Sequence, residues 1–258
     1  MKSPKFSLKA LFSRRATAAV EFALVAPFML VLFIGVVEIV TLYRTEAKLN
    51  AMVISVAQMV AVQNQTTTSG VSIIPSSGTT QASLQDICQG AILGLAPFPP
   101  EGMTLAIAGV TLESGPTGLP NVNTATSKVY NATNTYDVWE GDLTVSGTTC
   151  SSAATTSIGL ANAEKLATTS PPSTSGTSGT SGLLGVPCDS AIIVKATLTY
   201  PGIMGIILTS RPTLEQAVYT RWRYASTQTE LQCASTDTGC TTNYVTTQLC
   251  NSSNTSTN

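Results

Sequence analysis

The apolar positions change their spacing along the chain, and each change predicts an element. Residues 16–43, ATAAVEFALVAPFMLVLFIGVVEIVTLY, are apolar almost all round. At 1.5 Å per residue a helix of that length measures about 42 Å, enough to cross a hydrocarbon core of about 30 Å with some tilt. Beyond Arg44 the pattern narrows. Leu49, Met52, Val53, Val56 and Val60 fall at i, i+3, i+4, i+7 and i+11, a single helical stripe. Together these stretches predict one continuous helix over 17–64, ending before the breaker run Gln65-Thr66-Thr67-Thr68-Ser69-Gly70.

A second stripe follows at Leu84, Ile87, Cys88, Ala91, Ile92 and Leu95, with Thr80 or Ser83 as N-cap and the Pro-rich 96–100 as terminator. Alternation then replaces the helical period. Met103, Leu105 and Ile107 alternate with Thr104, Ala106 and Ala108; the alternation slips at Gly109 and resumes at Val110 and Leu112, which predicts a bulge. Ile192, Val194, Ala196, Leu198 and Tyr200 share one strand face, and Lys195, Thr197 and Thr199 share the other. In 215–225, Val218, Trp222 and Tyr224 oppose Tyr219, Arg221 and Arg223. These two late runs predict an antiparallel pair around a 201–213 loop. The expected fold is α+β: a long N-terminal membrane-spanning helix, then a small head with an antiparallel sheet. The expected segments are a basic leader 1–16, the helix 17–64, a head 71–232 with a low-complexity insertion 167–182, and a polar tail 233–258.

Composition narrows the function. There is no histidine, and only 10% of the residues are charged. The usual neutral-pH general base and the His-based triads and metal sites are therefore absent. Ser and Thr make up about a quarter of the chain, as in exported polypeptides. Lys2, Lys5, Lys9, Arg14 and Arg15 precede the apolar segment without an acid, while from Asn50 onward acids outnumber basic residues. By the positive-inside rule the N-terminus is cytoplasmic and the head external. No basic patch with aromatics points to nucleic acid. Cys88, Cys150, Cys188, Cys233, Cys240 and Cys250 show no C-x-x-C or zinc spacing, and their even number reads as disulfides in an oxidising compartment. Spacing suggests Cys150–Cys188 across the insertion and a local bridge in the tail.

Two carboxylates, Glu21 and Glu38, lie inside the apolar segment, where a charge needs a partner or an interface. Glu38, six residues before Arg44, reads as an interfacial charge. Glu21 stands in Arg14-Arg15-Ala16-Thr17-Ala18-Ala19-Val20-Glu21-Phe22. This run, with the long helix behind it, resembles the TadE-like pseudopilins of the tight-adherence (Tad) pilus system. Ala16 stands where that family's pattern has Gly, and R-W-R-Y at 221–224 is similar to a closing R-P-R-Y of some members. The resemblance implies cleavage by a prepilin peptidase between Ala16 and Thr17. It also implies that Glu21, then the fifth residue, acts with Phe22 in assembly. The partners implied are the bacterial inner membrane, the peptidase, other pilins or pseudopilins and the pilus assembly machinery, with the head periplasmic. Physical reasoning runs the same way. A new ammonium group on Thr17, buried in lipid, calls for a carboxylate from a neighbouring subunit, and such a pair fixes register.

One other cluster invites a chemical reading. Asp137-Val138-Trp139-Glu140-Gly141-Asp142 holds three acids that could bind Ca²⁺ or supply paired carboxylates for glycoside cleavage. The expectation is instead a hairpin turn with solvated acids and Trp139 in the core, because the spacing is not that of an EF-hand. No nucleotide-binding or nucleophile-elbow motif occurs. The sequence therefore predicts a structural pilus protein with no enzymatic role, no cofactor and no metal. The alternative is a single-pass anchored binding or adhesion module that does not polymerise.

Overall fold

The structure, a computed structural model, describes residues 14–63, 72–75, 77, 83–114, 135–153, 157–169, 190–202, 210–223, 230–234 and 239–244. The chain divides into two compact units, one of residues 1–44 with 201–211 and one of residues 45–200 with 212–258. Helix α1 (Arg14–Ala61) supplies residues to both and continues through Pro27.

In the first unit the helix exposes its apolar side chains on nearly every side: Val20 is 62% exposed, Phe22 73% and Phe28 67%. Gly35 and Glu38 are the exception and are buried.

In the second unit the rest of α1 is amphipathic as its stripe requires. Leu49, Met52, Val53, Val56 and Val60 are all buried. They meet helix α2 (Leu84–Leu95), where Gly90 and Gly94 leave room for Met59 and Met52. Ser83 caps α2. Its hydroxyl accepts from the Asp86 amide at 3.2 Å, and the Asp86 carboxylate accepts from the Ser83 amide at 2.8 Å. This capping box holds the Asp86 pKa below its ordinary value, through the Ser83 backbone bond first.

Both helices lie on one face of a six-stranded sheet. Its strands are β2 (Thr104–Ser114), β3 (Thr135–Ser146), β4 (Thr149–Ala153), β5 (Ser190–Thr199), β6 (Thr213–Arg221) and β8 (Cys240–Asn243). The order is β4-β3-β2-β5-β6, with β8 also on β3, and all pairings are antiparallel. Leu105, Ile107, Trp139, Leu143, Ile192, Val194 and Leu198 form the core with α1 and α2. Helix α3 (Leu160–Thr169) covers the opposite face, packing on Ala106, Ala108, Val110, Val138, Ala191 and Ile193. A separate parallel pair joins β1 (Ser72–Ile74) to β7 (Leu231–Cys233).

Several expectations hold. The helix ends within three residues of the predicted end, Ser83 is the cap, and β5 and β6 pair antiparallel with the predicted faces. The predicted bulge does not. Pairing runs unbroken through Gly109, opposite Trp139 and Ile192, and the irregularity falls at Leu112/Ser114. Gly109 lies on the same face as Leu105 and Ile107, where the Trp139 indole fills the space a side chain would take, so large residues appear on the opposite face at Val110 and Leu112 with no extra residue in the strand. The expected tail is also more integrated than its polar composition suggested, since Cys233 ends the buried strand β7 and β8 extends the sheet.

Cys88 pairs with Cys150, which ties α2 to β4 and rules out the expected Cys150–Cys188 bridge. The local tail bridge is Cys233–Cys240. Cys188, Cys250 and the stretch 170–182 of the insertion lie outside the described residues; its first part, 167–169, is the end of α3.

Candidate functional site

The exposed half of α1 is the largest apolar surface on the described chain. Its residues favour a helix by composition, yet nothing in their own unit covers most of them. From Thr17 the helix is long and apolar enough to cross a membrane. Ala16 and Thr17, the expected cleavage point, lie in its first turn. Glu21 stands one turn further on, at i+4 from Thr17, so the two share a face. Glu21 and Phe22 are both exposed, and no ion pair among the described residues engages Glu21. Val20, Phe22, Leu24 and Val25 beside this carboxylate are apolar and exposed. Within a hydrocarbon layer such a charge would call for a partner.

Glu38 differs. It is 1% exposed, and neither carboxylate oxygen has a hydrogen-bond partner among the described residues. It is turned toward protein.

The acid cluster at 137–142 is not a turn. It lies mid-strand in β3, and strand alternation divides it. Asp137 points to the side of Trp139, whereas Glu140 and Asp142 point toward α3. Glu140 Oε1 accepts from the Ile158 amide at 2.6 Å and Oε2 from the Gly159 amide at 2.9 Å. Asp142 Oδ1 accepts from the Ser157 amide at 3.1 Å. These amides precede α3 directly, so the two carboxylates dock its electropositive end onto the sheet. Burial raises both pKa values. For Glu140 the Ile158 and Gly159 amides act against that rise and the neighbouring Asp142 adds to it. Both Glu140 oxygens are thus occupied in a fully buried position. No group of three or more potential metal-ligating Cys, Asp or Glu residues forms among the described residues.

Sequence reasoning missed two further polar features. Lys195 and Glu215 form an ion pair at 3.1 Å across β5 and β6. They line a cleft of about 430 Å³ beside Asn162, Lys165 and Tyr219 of α3 and β6. The cross-strand register of Thr197 and Glu215 would have revealed the pair, once β5 and β6 were aligned. The second is Tyr244, whose hydroxyl donates to the Cys233 carbonyl. Burial, with Glu230 and Asp137 nearby, pushes its phenol pKa up.

No curated protein and no solved structure matches the chain. A family does match. Residues 16–58, from the first turn of α1 through most of its head-facing stripe, match the family described as TadE-like protein, so the TadE-like character read from the sequence is shown for this helix.

Proposed function

We propose that this chain is a minor pilin-like structural protein of a Tad-type pilus or secretion system. It is anchored in the bacterial inner membrane with its head in the periplasm, and it works by assembly rather than catalysis. A prepilin peptidase removes the basic leader between Ala16 and Thr17. The new Thr17 ammonium is then neutralised by Glu21 of a neighbouring subunit, with Phe22 packing beside it. The observation that carries this reading is the exposed Glu21 carboxylate in an otherwise apolar helix surface that matches the TadE-like family. In lipid such a charge is expensive, and a subunit–subunit pair both neutralises it and sets axial register.

The test is intact-mass and N-terminal analysis of the chain from cells with and without active prepilin peptidase. The expected mature chain begins at Thr17 only where the peptidase is active. An intact leader under both conditions would refute processing and favour an anchored module that does not polymerise. Glu21→Ala is a second arm. Piliation and co-purification of other pilins should fall while the membrane content of the variant is unchanged.

A further inference from the structure

We propose that strand β6 is an open sheet edge that takes up an extended acidic segment of another protein as an added antiparallel strand. β6 ends the order β4-β3-β2-β5-β6, and no strand among the described residues pairs with its outer side. The Tyr200 amide donates to the Pro212 carbonyl at 2.9 Å, and the Trp222 amide donates to the Ser190 carbonyl at 3.0 Å. These two bonds fix the phase of the ladder. Even-numbered residues of β6 turn their backbone groups to β5, so Thr213, Glu215, Ala217 and Tyr219 turn theirs outward.

Edge strands that must stay single are usually short, bulged, proline-bearing or covered. The opposite edge, β4, is five residues long and is tied to α2 by Cys88–Cys150. By contrast β6 is nine residues long, keeps an unbroken register with β5, and holds no proline and no lysine. Its two charges, Glu215 and Arg221, stand near its ends, and Gln216 to Thr220 between them are uncharged.

Alternation gives this edge a receiving surface. Leu214 and Val218 pack on the core beneath α1, while Glu215, Ala217 and Tyr219 face the α3 side. The cleft of about 430 Å³ lies there between α3 and β6, completed by Asn162, Lys165 and Lys195. In an added antiparallel strand, the residues bonded to Glu215, Ala217 and Tyr219 place their side chains on this same side, beside the cleft. Lys165 and Lys195 line it, and Arg221 follows Tyr219 at the same strand parity, against the single acid Glu215. Three of the six basic residues beyond Asn50 thus gather on one side of β6, in a stretch of chain where acids outnumber them. Acidic side chains at alternate positions are the complement of that surface. A second copy of β6 brings one acid and one base, and so no net charge to match it.

The inference concerns the head alone and is independent of leader cleavage and of Glu21. The probe is a fluorescein-labelled peptide of alternating aspartate and threonine, about as long as β6. It is added to the full chain in micelles and followed by fluorescence anisotropy and residue-resolved hydrogen exchange. In the chain alone, the Glu215, Ala217 and Tyr219 amides should exchange at least about tenfold faster than those of Gln216 and Val218; with peptide bound they should slow by about tenfold or more. N-methylation of the aspartate amides, which face β6, should weaken binding about tenfold or more, and N-methylation of the threonine amides by less than about threefold. Ala217→Pro removes an outward N–H without touching the β5 ladder, and should weaken binding by a like factor with circular dichroism unchanged. Should that variant not fold, the methylated peptides decide on the native chain. Slow exchange at the three amides before peptide is added would overturn the proposal, as would equal effects of the two methylations. Equal binding of a lysine-for-aspartate peptide, or no binding of the aspartate peptide at about 1 mM, would overturn it too. So would self-association of the chain that Ala217→Pro abolishes, which makes the occupant a second copy.

Discussion

Replacing Gly109 by alanine would probe the packing on which the head depends. Gly109 lies in β2, with Trp139 and Ile192 as its cross-strand neighbours. The Trp139 indole occupies the space where a side chain would begin. A Cβ at position 109 would stand 2.2 Å from Nε1, 2.4 Å from Cε2 and 2.8 Å from Cζ2. Carbon atoms at optimal contact sit about 3.5–4.0 Å apart, so the ring has to move. It is poorly placed to do so, being 1% exposed with Nε1 donating to the Leu231 carbonyl at 2.7 Å. Overpacking a core costs about 1–3 kcal/mol. Stripping a buried N–H of its acceptor adds about 1–3 kcal/mol. The expected destabilisation is about 2–6 kcal/mol, well outside the range of about 0.5 kcal/mol for an ordinary surface change.

The assay is urea unfolding of the full chain in micelles, followed by far-ultraviolet circular dichroism. A double-mutant cycle with Trp139→Phe isolates the cause. The smaller ring makes room and has no N–H to strand, so the alanine penalty should shrink by at least about 1 kcal/mol in the Phe background. A Gly109→Ala penalty below about 0.5 kcal/mol, or one unchanged by Trp139→Phe, would show that the indole does not rest on this glycine.

Other substitutions test other parts. Gly90→Ala in α2 places a methyl at ordinary contact distance, 3.6 Å from Met59 Cε, and should stabilise by about 0.5–1 kcal/mol through helix propensity in the same melts. Removing Cys88–Cys150 as a double alanine variant opens a loop of 62 residues and should cost about 4 kcal/mol by chain entropy, against about 2 kcal/mol for Cys233–Cys240, which spans 7. Melts of the two variants should rank in that order. The pH profile carries a sign. Glu140 and Asp142 have folded pKa values above their ordinary 4.5 and 3.8, so the folded state binds their protons more tightly. Their contribution is fully present below those ordinary values and is lost as pH rises through the folded ones. Glu140→Gln with Asp142→Asn should therefore reduce the loss of stability between pH 4 and pH 7; an unchanged profile would mean that these carboxyls are not perturbed. Asp86 works oppositely. Its contribution is lost as pH falls, and Ser83→Ala, which removes the cap, should cost about 1 kcal/mol.

The elements legible in the sequence were those that meet solvent on one side. The stripe of α1 beyond Arg44, the stripe of α2 and the β5–β6 pair each contrast apolar with polar positions at a fixed period. Strand β2 is covered on both sides, so its alternation is one of size, Leu105 and Ile107 against Ala106 and Ala108. Gly109 then looked like a slip. Helix α3 went unread for a related reason: Ala163 and Ala167 carry its buried stripe, and alanine gives a weak hydrophobic signal. With α3 missing, Glu140 and Asp142 had no visible partner and looked like turn acids. Their meaning depends on amides at 157–159, a relation that no local pattern records. Of the candidate site, the helix surface and Glu21 were legible because a carboxylate in an apolar run is anomalous at sight. The burial of Glu38 was not, because which side of a uniformly apolar helix faces protein leaves no mark in its sequence.

That uniformity also bears on how such a helix could be recruited. Moving Phe22, Phe28 or Leu32 from lipid to a neighbouring helix exchanges one apolar medium for another, so the hydrophobic effect contributes little to that step. Close packing and polar pairing must supply the preference. Packing is spread over many side chains, and any one of them can be replaced by another of similar volume at a cost below about 1.5 kcal/mol. The carboxylate of Glu21 has no such substitute. On the proposed reading its unpartnered charge in lipid is costly, and a matched cation would remove that cost only in one register. Conservative changes along the exposed apolar surface should therefore leave recruitment nearly intact. Glu21→Gln, which keeps the size and removes the charge, should impair it far more than any of them.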